Sequence, residues 1–241
     1  MTDPDSRRSE IVANLGQVRE RIARACLAAG RSPAEVTLIA VTKFFPVADA
    51  VHLAEAGVPD LGESRDQEAA AKAAEFAGLT RAPARWHFIG RLQTNKARSV
   101  ARYADLVHSV DRPELAEALA AGAERAGRVL PVLVQLSLDE PATGAGRGGS
   151  ARTDLLRLAE RVAALPALSL AGVMAIAPLD GDPERAFAEL AEGAAAVRAA
   201  HPAATIVSAG MSGDLEAAVR HGSTHVRVGT ALLGRRATHF G

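Results

Sequence analysis

The stretch V-T-L-I-A-V-T-K at residues 36–43 is the segment that decides the fold. Its run of aliphatic and β-branched residues is too short for a typical helix, and it is characteristic of a strand that is buried on both faces. Such strands occur in parallel sheets, whose two faces are covered by other elements. Because the apolar run ends at Lys43, we expect this lysine to lie at the carboxyl end of the sheet.

The same alternation of apolar runs and helix-period segments continues along the whole chain. An amphipathic helix is predicted over residues 5–29, with apolar residues at three- and four-residue steps and Gly30 as its end. Seven further strands are predicted at 58–64, 85–91, 106–111, 131–138, 170–176, 205–210 and 225–230. Helices are predicted between them at 47–57, 65–77, 92–103, 113–127, 153–165, 183–200 and 213–222.

Eight strands separated by helices predict a parallel sheet with helical crossovers. Eight strands also suffice to close a (βα)8 barrel. A doubly wound open sheet is the alternative, because a strand count taken from sequence can err by one or two. No long linker rich in Pro, Gly or Ser divides the chain. We therefore expect residues 1–241 to form a single (βα)8 TIM-barrel domain of the α/β class, with an extra N-terminal helix.

Composition excludes several classes of function. Lys+Arg and Asp+Glu each number 28, so bulk charge attracts the chain neither to nucleic acid nor to an anionic membrane. No apolar run reaches the ~18–20 residues of a membrane span, and the N-terminus lacks the apolar core of a secretory signal. A cytoplasmic protein is therefore expected. The single cysteine, Cys26, excludes an internal disulfide, and the spacing of the seven histidines predicts no metal site.

Lysine is rare in this chain, which restricts the candidates for amine chemistry. Only Lys43, Lys72 and Lys96 are present, beside 25 arginines. We expect Lys72 to lie on the outward side of a helix and Lys96 at the start of another. Lys43 remains, and partial burial at a strand end would lower its pKa and make it a better nucleophile. A solvated lysine at a strand end is the other interpretation.

Glycine and hydroxyl residues follow the last two predicted strands, where barrels often bind phosphate. Ser212 follows the seventh strand, and Gly229 and Thr230 follow the eighth. Arg227 shares a strand face with Gly229, so it would suit a pyridine nitrogen if it points into the barrel, or an ion pair at the rim if it does not. An amine facing a phosphate fits pyridoxal phosphate, and it also fits a sugar-phosphate aldolase.

One motif is not favoured as a functional site. The segment 144–149, G-A-G-R-G-G, matches the G-x-G-x-x-G pattern of dinucleotide-binding folds. However, it does not follow its strand directly, and it comes after four strand–helix units rather than at the start of the fold. Arg147 in this segment could contact a ligand phosphate or be solvated.

Several motifs occur together, in order, from about residue 10 to 236, and in them the chain resembles the pyridoxal phosphate homeostasis protein family. They are L-I-A-V-T-K at 38–43, G-E-S-R-D-Q-E at 62–68, W-H-F-I-G-R-L-Q-T-N-K at 86–96, H-S-V-D-R at 108–112, G-V-M-A-I at 172–176, S-A-G-M-S-G-D-L-E-A-A at 208–218 and H-V-R-V-G-T-A-L-L-G at 225–234.

The resemblance implies a barrel like the N-terminal domain of alanine racemase, without a second domain. It implies pyridoxal 5′-phosphate as a Schiff base on Lys43 and Arg227 near the pyridine nitrogen. The remaining cofactor-binding residues that we expect on this basis are Ser64, His87, Met211, Ser212, Gly229 and Thr230. This chain departs from the family at Ser64, where asparagine is usual.

The resemblance further implies a role in vitamin B6 homeostasis without catalytic turnover, so no catalytic residue is expected. The alternative is a PLP-dependent amino-acid racemase or lyase. A racemase of this fold needs a second base, commonly a tyrosine, and the only tyrosine is Tyr103, in a predicted helix. The expected partners are the small-molecule cofactor and, as its recipients, apo forms of PLP-dependent enzymes. A monomer or weak dimer is expected.

Overall fold

The structure is a computed structural model that describes residues 4–139 and 148–234. Arg147 and most of the G-A-G-R-G-G motif lie outside the described residues. The strands are β1 (Thr37–Val41), β2 (Asp60–Glu63), β3 (Arg85–Phe88), β4 (Leu106–Val110), β5 (Leu130–Gln135), β6 (Leu168–Met174), β7 (Ile206–Ser208) and β8 (His225–Val228). The α-helices are α1 (Pro4–Ala28), α2 (Val47–Glu55), α3 (Asp66–Leu79), α4 (Ala97–Tyr103), α5 (Pro113–Arg125), α6 (Leu155–Ala163), α7 (Pro183–Ala200), α8 (Leu215–Arg220) and α9 (Thr230–Leu233).

The strands form a closed parallel barrel in sequence order. Each strand pairs with the next, and β8 returns to pair with β1, with Ile39 opposite Arg227 and Ala40 opposite Val228. The predicted (βα)8 barrel is therefore confirmed, and the open sheet is wrong. Each predicted strand overlaps an observed one, although the ends differ by a few residues. In particular, β1 ends at Val41, so Lys43 lies in the turn that follows the strand.

Aliphatic side chains fill both the layer between strands and helices and part of the barrel interior. Between the layers, Val107 and Val132 belong to the same buried cluster as Leu115 and Leu119 of α5. Leu106, Leu133 and Met174 form a separate, smaller buried cluster. This distribution follows from the alternation of side chains along each strand, one set toward the helices and the other into the barrel.

Helix α1 is the extra element, and it packs against α2, α8 and α9. Its buried stripe consists of Ile11, Leu15, Val18, Ile22 and Cys26, so the single cysteine is a core residue. Burial of this stripe holds α1 in place, since tertiary packing supplies most of the stability of a helix. No helix in the described ranges has both the length and the apolar character to cross a membrane.

A bulge interrupts the pairing of β5 and β6, and a glycine makes it possible. Val132 pairs with Leu170 and Leu133 with Gly172, which leaves one residue of β6 unpaired. Gly172 has φ of 153°, and a Cβ at this position would lie 1.9 Å from the carbonyl oxygen of Ile206. No side chain can be accommodated at that distance without moving β7.

We predict that Gly172→Ala lowers the free energy of unfolding by roughly 3 kcal/mol or more, because the added carbon forces two paired strands apart. Gly16→Ala is the matched control, since a Cβ on Gly16 in α1 would meet nothing within 4 Å. This change should raise stability by up to about 1 kcal/mol through helix propensity. Urea unfolding followed by circular dichroism measures both. Equal, small effects of the two substitutions would contradict the assignment.

Candidate functional site

Lys43 lies, partly buried, in a tight turn directly after β1. The backbone N–H of Phe45 donates to the carbonyl of Thr42, at 3.1 Å, and closes the turn. Phe44 has φ of 68° and is the only residue other than glycine with positive φ in the part of the chain that the structure describes. Such a conformation is costly for a bulky residue and persists only where surrounding contacts hold it.

Those contacts come from a group of polar side chains, the buried Thr42, Glu63 and Lys72 and the partly buried Glu68, here called the Lys72 cluster. The Lys72 ammonium donates to the Thr42 carbonyl at 2.8 Å and to Glu63 Oε1 at 2.6 Å. The Thr42 hydroxyl donates to the same Glu63 oxygen at 2.7 Å, and the Phe44 N–H donates to Glu68. The hydrogen bonds of the cluster therefore hold Thr42 and Phe44, the residues on either side of Lys43, in place.

The expectation that Lys72 faces outward is wrong, because its side chain is only 6% exposed. It lies on the buried face of α3 with Ala69 and Phe76, at steps of three and four residues. The surrounding helix is rich in alanine, so its apolar stripe is weakly marked in sequence. Lys72 is four residues from both Glu68 and Phe76. This helical spacing is the signal in the sequence that could have placed its side chain on the buried face of α3.

The charge of Glu63 is held inside the protein by this cluster. Burial raises the pKa of Glu63, and the hydrogen bonds from Lys72 and Thr42 oppose that shift. Glu63 points away from the barrel axis toward α3, so the cluster supports the Lys43 turn from behind. A buried ion pair of this kind is costly to break, since loss of one partner leaves the other charge uncompensated.

The loops that follow β7 and β8 lie at the same end of the barrel as Lys43. A Cβ on Gly229 would be 3.2 Å from Val41 Cβ and 3.3 Å from the Val41 carbonyl oxygen. The end of β8 therefore approaches the end of β1 so closely that a side chain at Gly229 would require movement. As a result, Gly229 and Thr230 lie beside the strand that leads into the Lys43 turn.

Helix α1 anchors both of these loops from outside the barrel. Arg21 donates to the carbonyl of Ser212 at 2.7 Å, in the loop after β7. Asn14 donates to the carbonyl of Leu232 at 3.0 Å, and Arg7 donates to that of Leu233 at 3.1 Å, both after β8. The Asp214 carboxylate accepts the Met211 N–H at 2.6 Å and shapes the first loop further. The extra helix thus contributes to the site without lining it.

Arg227 is buried in the barrel interior and does not form an ion pair at the rim. Its side chain donates to Ser208 Oγ at 2.7 Å and to the carbonyl of Ala175 at 2.9 Å, and the residue is 4% exposed. Burial lowers the pKa of Arg227 to about 10, so the guanidinium remains positive at neutral pH. It lies two residues before Gly229 on the same face of β8, so it is one layer below the loops.

His87 lies in the barrel interior and uses both ring nitrogens there. Nδ1 is 3.0 Å from His108 Nε2, and Nε2 is 2.8 Å from Asp60 Oδ1. A bond from His87 to a ligand would require the loss of one of these contacts. Both ring nitrogens of His87 are therefore engaged by protein groups in this structure, and a direct contact with a ligand stays a prediction.

The remaining candidates lie together at the mouth of the barrel. Ser64 follows β2, and a Cβ on Gly90 would be 2.3 Å from its carbonyl oxygen, so the ends of β2 and β3 are in close contact. The partly buried Met211 follows β7. The strands that supply these residues, β7, β8, β1 and β2, are neighbours in the barrel. One half of the mouth thus contains Lys43, Ser64, Met211, Ser212, Gly229 and Thr230.

Sequence reasoning missed a cationic cavity beside Ser64. It measures about 840 Å³, and its lining has four cationic side chains against two carboxylates: Arg65, Arg91, Lys96 and Arg112, with Asp66 and Glu68. Within the described residues, no hydrogen bond or ion pair engages the side chain of Arg91 or Lys96. This side of the mouth would therefore favour anionic groups. In the same part of the chain, no group of three or more His, Cys, Asp or Glu side chains could hold a metal ion.

The Asp60 carboxylate should make stability depend on pH in the acid range. Burial raises its pKa, but the stronger combined effect of hydrogen bonds from His87 and Arg85 lowers the pKa of Asp60 to about 2, below its ordinary value of 3.8. A carboxylate with a lowered pKa stabilises the fold above about pH 4, and this contribution of about 2 kcal/mol is lost as the pH falls toward 2.

We therefore predict that Asp60→Asn unfolds more easily than the unmodified protein at neutral pH and that this difference shrinks below about pH 4. Urea unfolding at a series of pH values measures the difference. The control is Asp180→Asn, at an exposed position, whose curve should run parallel to that of the unmodified protein. A difference for Asp60→Asn that stays constant down to the lowest accessible pH would disprove the assignment.

Lys72→Met should destabilise the fold by about 3–5 kcal/mol, because it leaves the Glu63 carboxylate buried without its cation. The double variant Lys72→Met/Glu63→Gln removes both charges, so it should recover much of that loss. Equilibrium unfolding of both single variants and the double variant completes the cycle. Additive effects of the two substitutions would show that Lys72 and Glu63 are not coupled.

Comparison with known proteins agrees with this fold. The family model for the alanine racemase N-terminal domain matches residues 13–237. The pyridoxal phosphate homeostasis protein of Mycobacterium bovis is 46% identical over an alignment 246 residues long. The alignment covers 97% of this chain and 95% of that protein. PipY of Synechococcus elongatus PCC7942, whose structure was solved with PLP bound, is 35% identical with a TM-score of 0.79, and the match covers 93% of this chain and 100% of PipY.

A more distant structure shows the fold alone. Alanine racemase from Corynebacterium glutamicum is 16% identical with a TM-score of 0.66, and the match covers 97% of this chain but 63% of the racemase. The barrel is therefore shared, and the racemase has a further portion that this match does not include. With a family match over most of its length and a relative 46% identical across 97% of it, the chain belongs to the pyridoxal phosphate homeostasis protein family.

Proposed function

We propose that this chain binds pyridoxal 5′-phosphate as a Schiff base on Lys43 and acts, through one barrel domain, as a carrier or regulator in vitamin B6 homeostasis. The observation that supports this most strongly is the closure of β8 onto β1. It brings an amine in the turn after β1 beside the glycine and hydroxyl residues after β8. An aldehyde and a phosphate on one small ring are the groups that such a pair would bind.

Each candidate residue then has a defined task. Lys43 supplies the amine, and Ser212, Gly229 and Thr230 supply hydroxyl and backbone donors to the phosphate. Arg227, one layer below, donates to the ring nitrogen. Ser64 and Met211 complete the wall of the mouth. When bound, the cofactor supplies a reactive aldehyde and an electron-withdrawing ring, and the chain's own residues determine how far that ring can act as an electron sink.

Arg227 supports binding without turnover. A permanent positive charge beside the ring nitrogen disfavours protonation of that nitrogen, and an unprotonated ring stabilises a carbanion poorly. Arg227 stays charged, since burial lowers its pKa only to about 10. The cofactor would therefore be held firmly while carbanion chemistry is restricted.

Tyr103 also supports this proposal over the racemase alternative. It is the last residue of α4, in the helix layer outside the barrel, and its ring packs against buried clusters there. Burial raises its pKa, and the charges of Asp66 and Glu63 raise it further. A hydroxyl that resists ionisation in this position is not suited to remove a proton from a substrate at the mouth.

We predict that the full chain, incubated with pyridoxal 5′-phosphate, develops the visible absorbance of a Schiff base. After borohydride reduction, mass spectrometry should locate the pyridoxyl group on Lys43. Lys43→Ala should lose both signals, because Lys72 is committed to the buried Lys72 cluster and Lys96 lies in the cavity beside Ser64 rather than in the turn after β1. Lys96→Ala is the matched control and should retain both signals.

A pyridoxyl group on Lys72 or Lys96, or no visible band in the unmodified protein, would overturn the Schiff-base proposal. Absence of turnover is tested separately, by solvent deuterium exchange at Cα of a panel of amino acids. The loaded protein should exchange no faster than free cofactor does. Exchange at an enzyme-like rate would restore the racemase or lyase alternative.

A further inference from the structure

A line of buried polar side chains crosses the barrel interior below the proposed site. Arg227 Nη1 lies 2.7 Å from Ser208 Oγ, and the same oxygen lies 2.9 Å from His108 Nδ1. His108 Nε2 lies 3.0 Å from His87 Nδ1, and His87 Nε2 lies 2.8 Å from Asp60 Oδ1. All five residues are buried, and they come from β8, β7, β4, β3 and β2. We call this line the interior relay.

The two ends of the interior relay carry opposite charges. Asp60 accepts two bonds from Arg85, at 2.7 and 2.6 Å, and the Arg85 side chain is 59% exposed, so this end reaches solvent at the amino-terminal face of the barrel. At the other end, Arg227 donates to Ser208 and to the Ala175 carbonyl, and no carboxylate among the described residues is hydrogen-bonded to it. Asp60 is thus the anion to which Arg227 is connected by hydrogen bonds.

The chemistry of the groups sets the direction of each bond. A carboxylate only accepts, so His87 Nε2–H donates to Asp60. If His87 is neutral, its Nδ1 must accept, and His108 Nε2–H donates to it. His108 Nδ1 then accepts the Ser208 O–H, and Ser208 Oγ accepts from Arg227. Every donor therefore points from Arg227 toward Asp60, and each ring nitrogen and hydroxyl between these two residues has a partner.

The charged and titratable groups around His108 agree with a neutral ring. His87 of β3 and His225 and Arg227 of β8 surround it. Burial lowers the pKa of His108 well below its ordinary value, and the permanent charge of Arg227 lowers it further. The His225 ring, 6.5 Å from that of His87, also has a pKa lowered, to about 4, chiefly by burial.

We propose that Ser208 and His108 are positioning residues that tie the Arg227 guanidinium to Asp60 across the barrel and so fix which of its N–H groups face the cofactor's ring nitrogen. The inference rests on the proposed function, in which Arg227 meets that nitrogen. The relay uses one donor on Nη1 and the Ala175 carbonyl uses one on Nη2, so three of the five donors of the guanidinium remain for the mouth. Loss of either relay residue would let the guanidinium change orientation.

The first test needs no cofactor. Nitrogen-15 NMR of the imidazole rings in the full chain should show hydrogen on Nε2 and none on Nδ1 for both His87 and His108 at neutral pH. Hydrogen on His108 Nδ1 would mean that the relay runs in the opposite direction, and it would overturn the proposal. Ser208→Ala should shift the His108 Nδ1 resonance. Ser223→Ala, at a buried serine bonded only to backbone carbonyls, should leave it unchanged.

The second test uses the protein loaded with pyridoxal 5′-phosphate. Ser208→Ala should still form the borohydride-trapped adduct on Lys43, but the visible band should shift and the cofactor should dissociate roughly ten-fold faster, as expected for a lost hydrogen bond to a charged group. Ser208→Thr keeps the hydroxyl and should restore both properties. Should Ser208→Ala fail to fold, His108→Gln, which shortens the relay, provides the same comparison.

The outcomes separate this inference from the proposed function. If the unmodified protein forms no adduct on Lys43, the proposed function fails, whatever the tautomers are. If the adduct forms but Ser208→Ala retains an unchanged band and an unchanged dissociation rate, the positioning role fails alone. A loss of stability without a spectral change would show that the relay only supports the fold.

Discussion

The closure of β1 onto β8 is the constraint on which the proposed site depends. A barrel closes only if its first and last strands pair in register, and here Ile39 pairs with Arg227 and Ala40 with Val228. The pairing leads to Gly229, where a side chain would press on Val41 at 3.2 Å. The same contact that completes the hydrogen bonding of the sheet therefore brings the Lys43 turn and the loop after β8 together. Both the fold and the proposed site therefore depend on the pairing of β1 with β8.

Near the pairing of β1 with β8, charged side chains are buried in two separate layers. The charges of each layer are balanced in a different way. Behind β1, Lys72 and Glu63 form a direct ion pair that supports the turn of Lys43. Inside the barrel, Arg227 and Asp60 are too far apart for a direct bond, and two histidines and a serine connect them. Buried polar groups are costly unless they are satisfied, so both arrangements also restrict the positions of the backbone that they hold.

Much of the fold was predictable because the barrel repeats one local unit. The run at 36–43 and its successors alternate with helices, and the sequence predicts eight strands for this reason. The site was partly predictable, since strand ends in a barrel share one face, so Lys43, Ser212 and Gly229 could be grouped without a structure. Period-two alternation also placed Arg227 and Gly229 on one face, as the structure has them.

The support of the site was not predictable, because it depends on contacts between residues far apart in sequence. Ser208 and His108 are 100 positions apart, and no local pattern relates them. Lys72 was misplaced because the alanine-rich α3 lacks a marked apolar stripe. His87 is expected to bind the cofactor because it belongs to a family motif, and that motif gives no sign of its contacts with Asp60 and His108.

The most direct test of this account is a crystal structure of the full chain grown with pyridoxal 5′-phosphate. The account predicts continuous density from Lys43 Nζ to the cofactor, with the phosphate at Ser212, Gly229 and Thr230 and the ring nitrogen facing Arg227. Cofactor bound instead in the cationic cavity lined by Arg65, Arg91 and Lys96, with Lys43 unmodified, would contradict it.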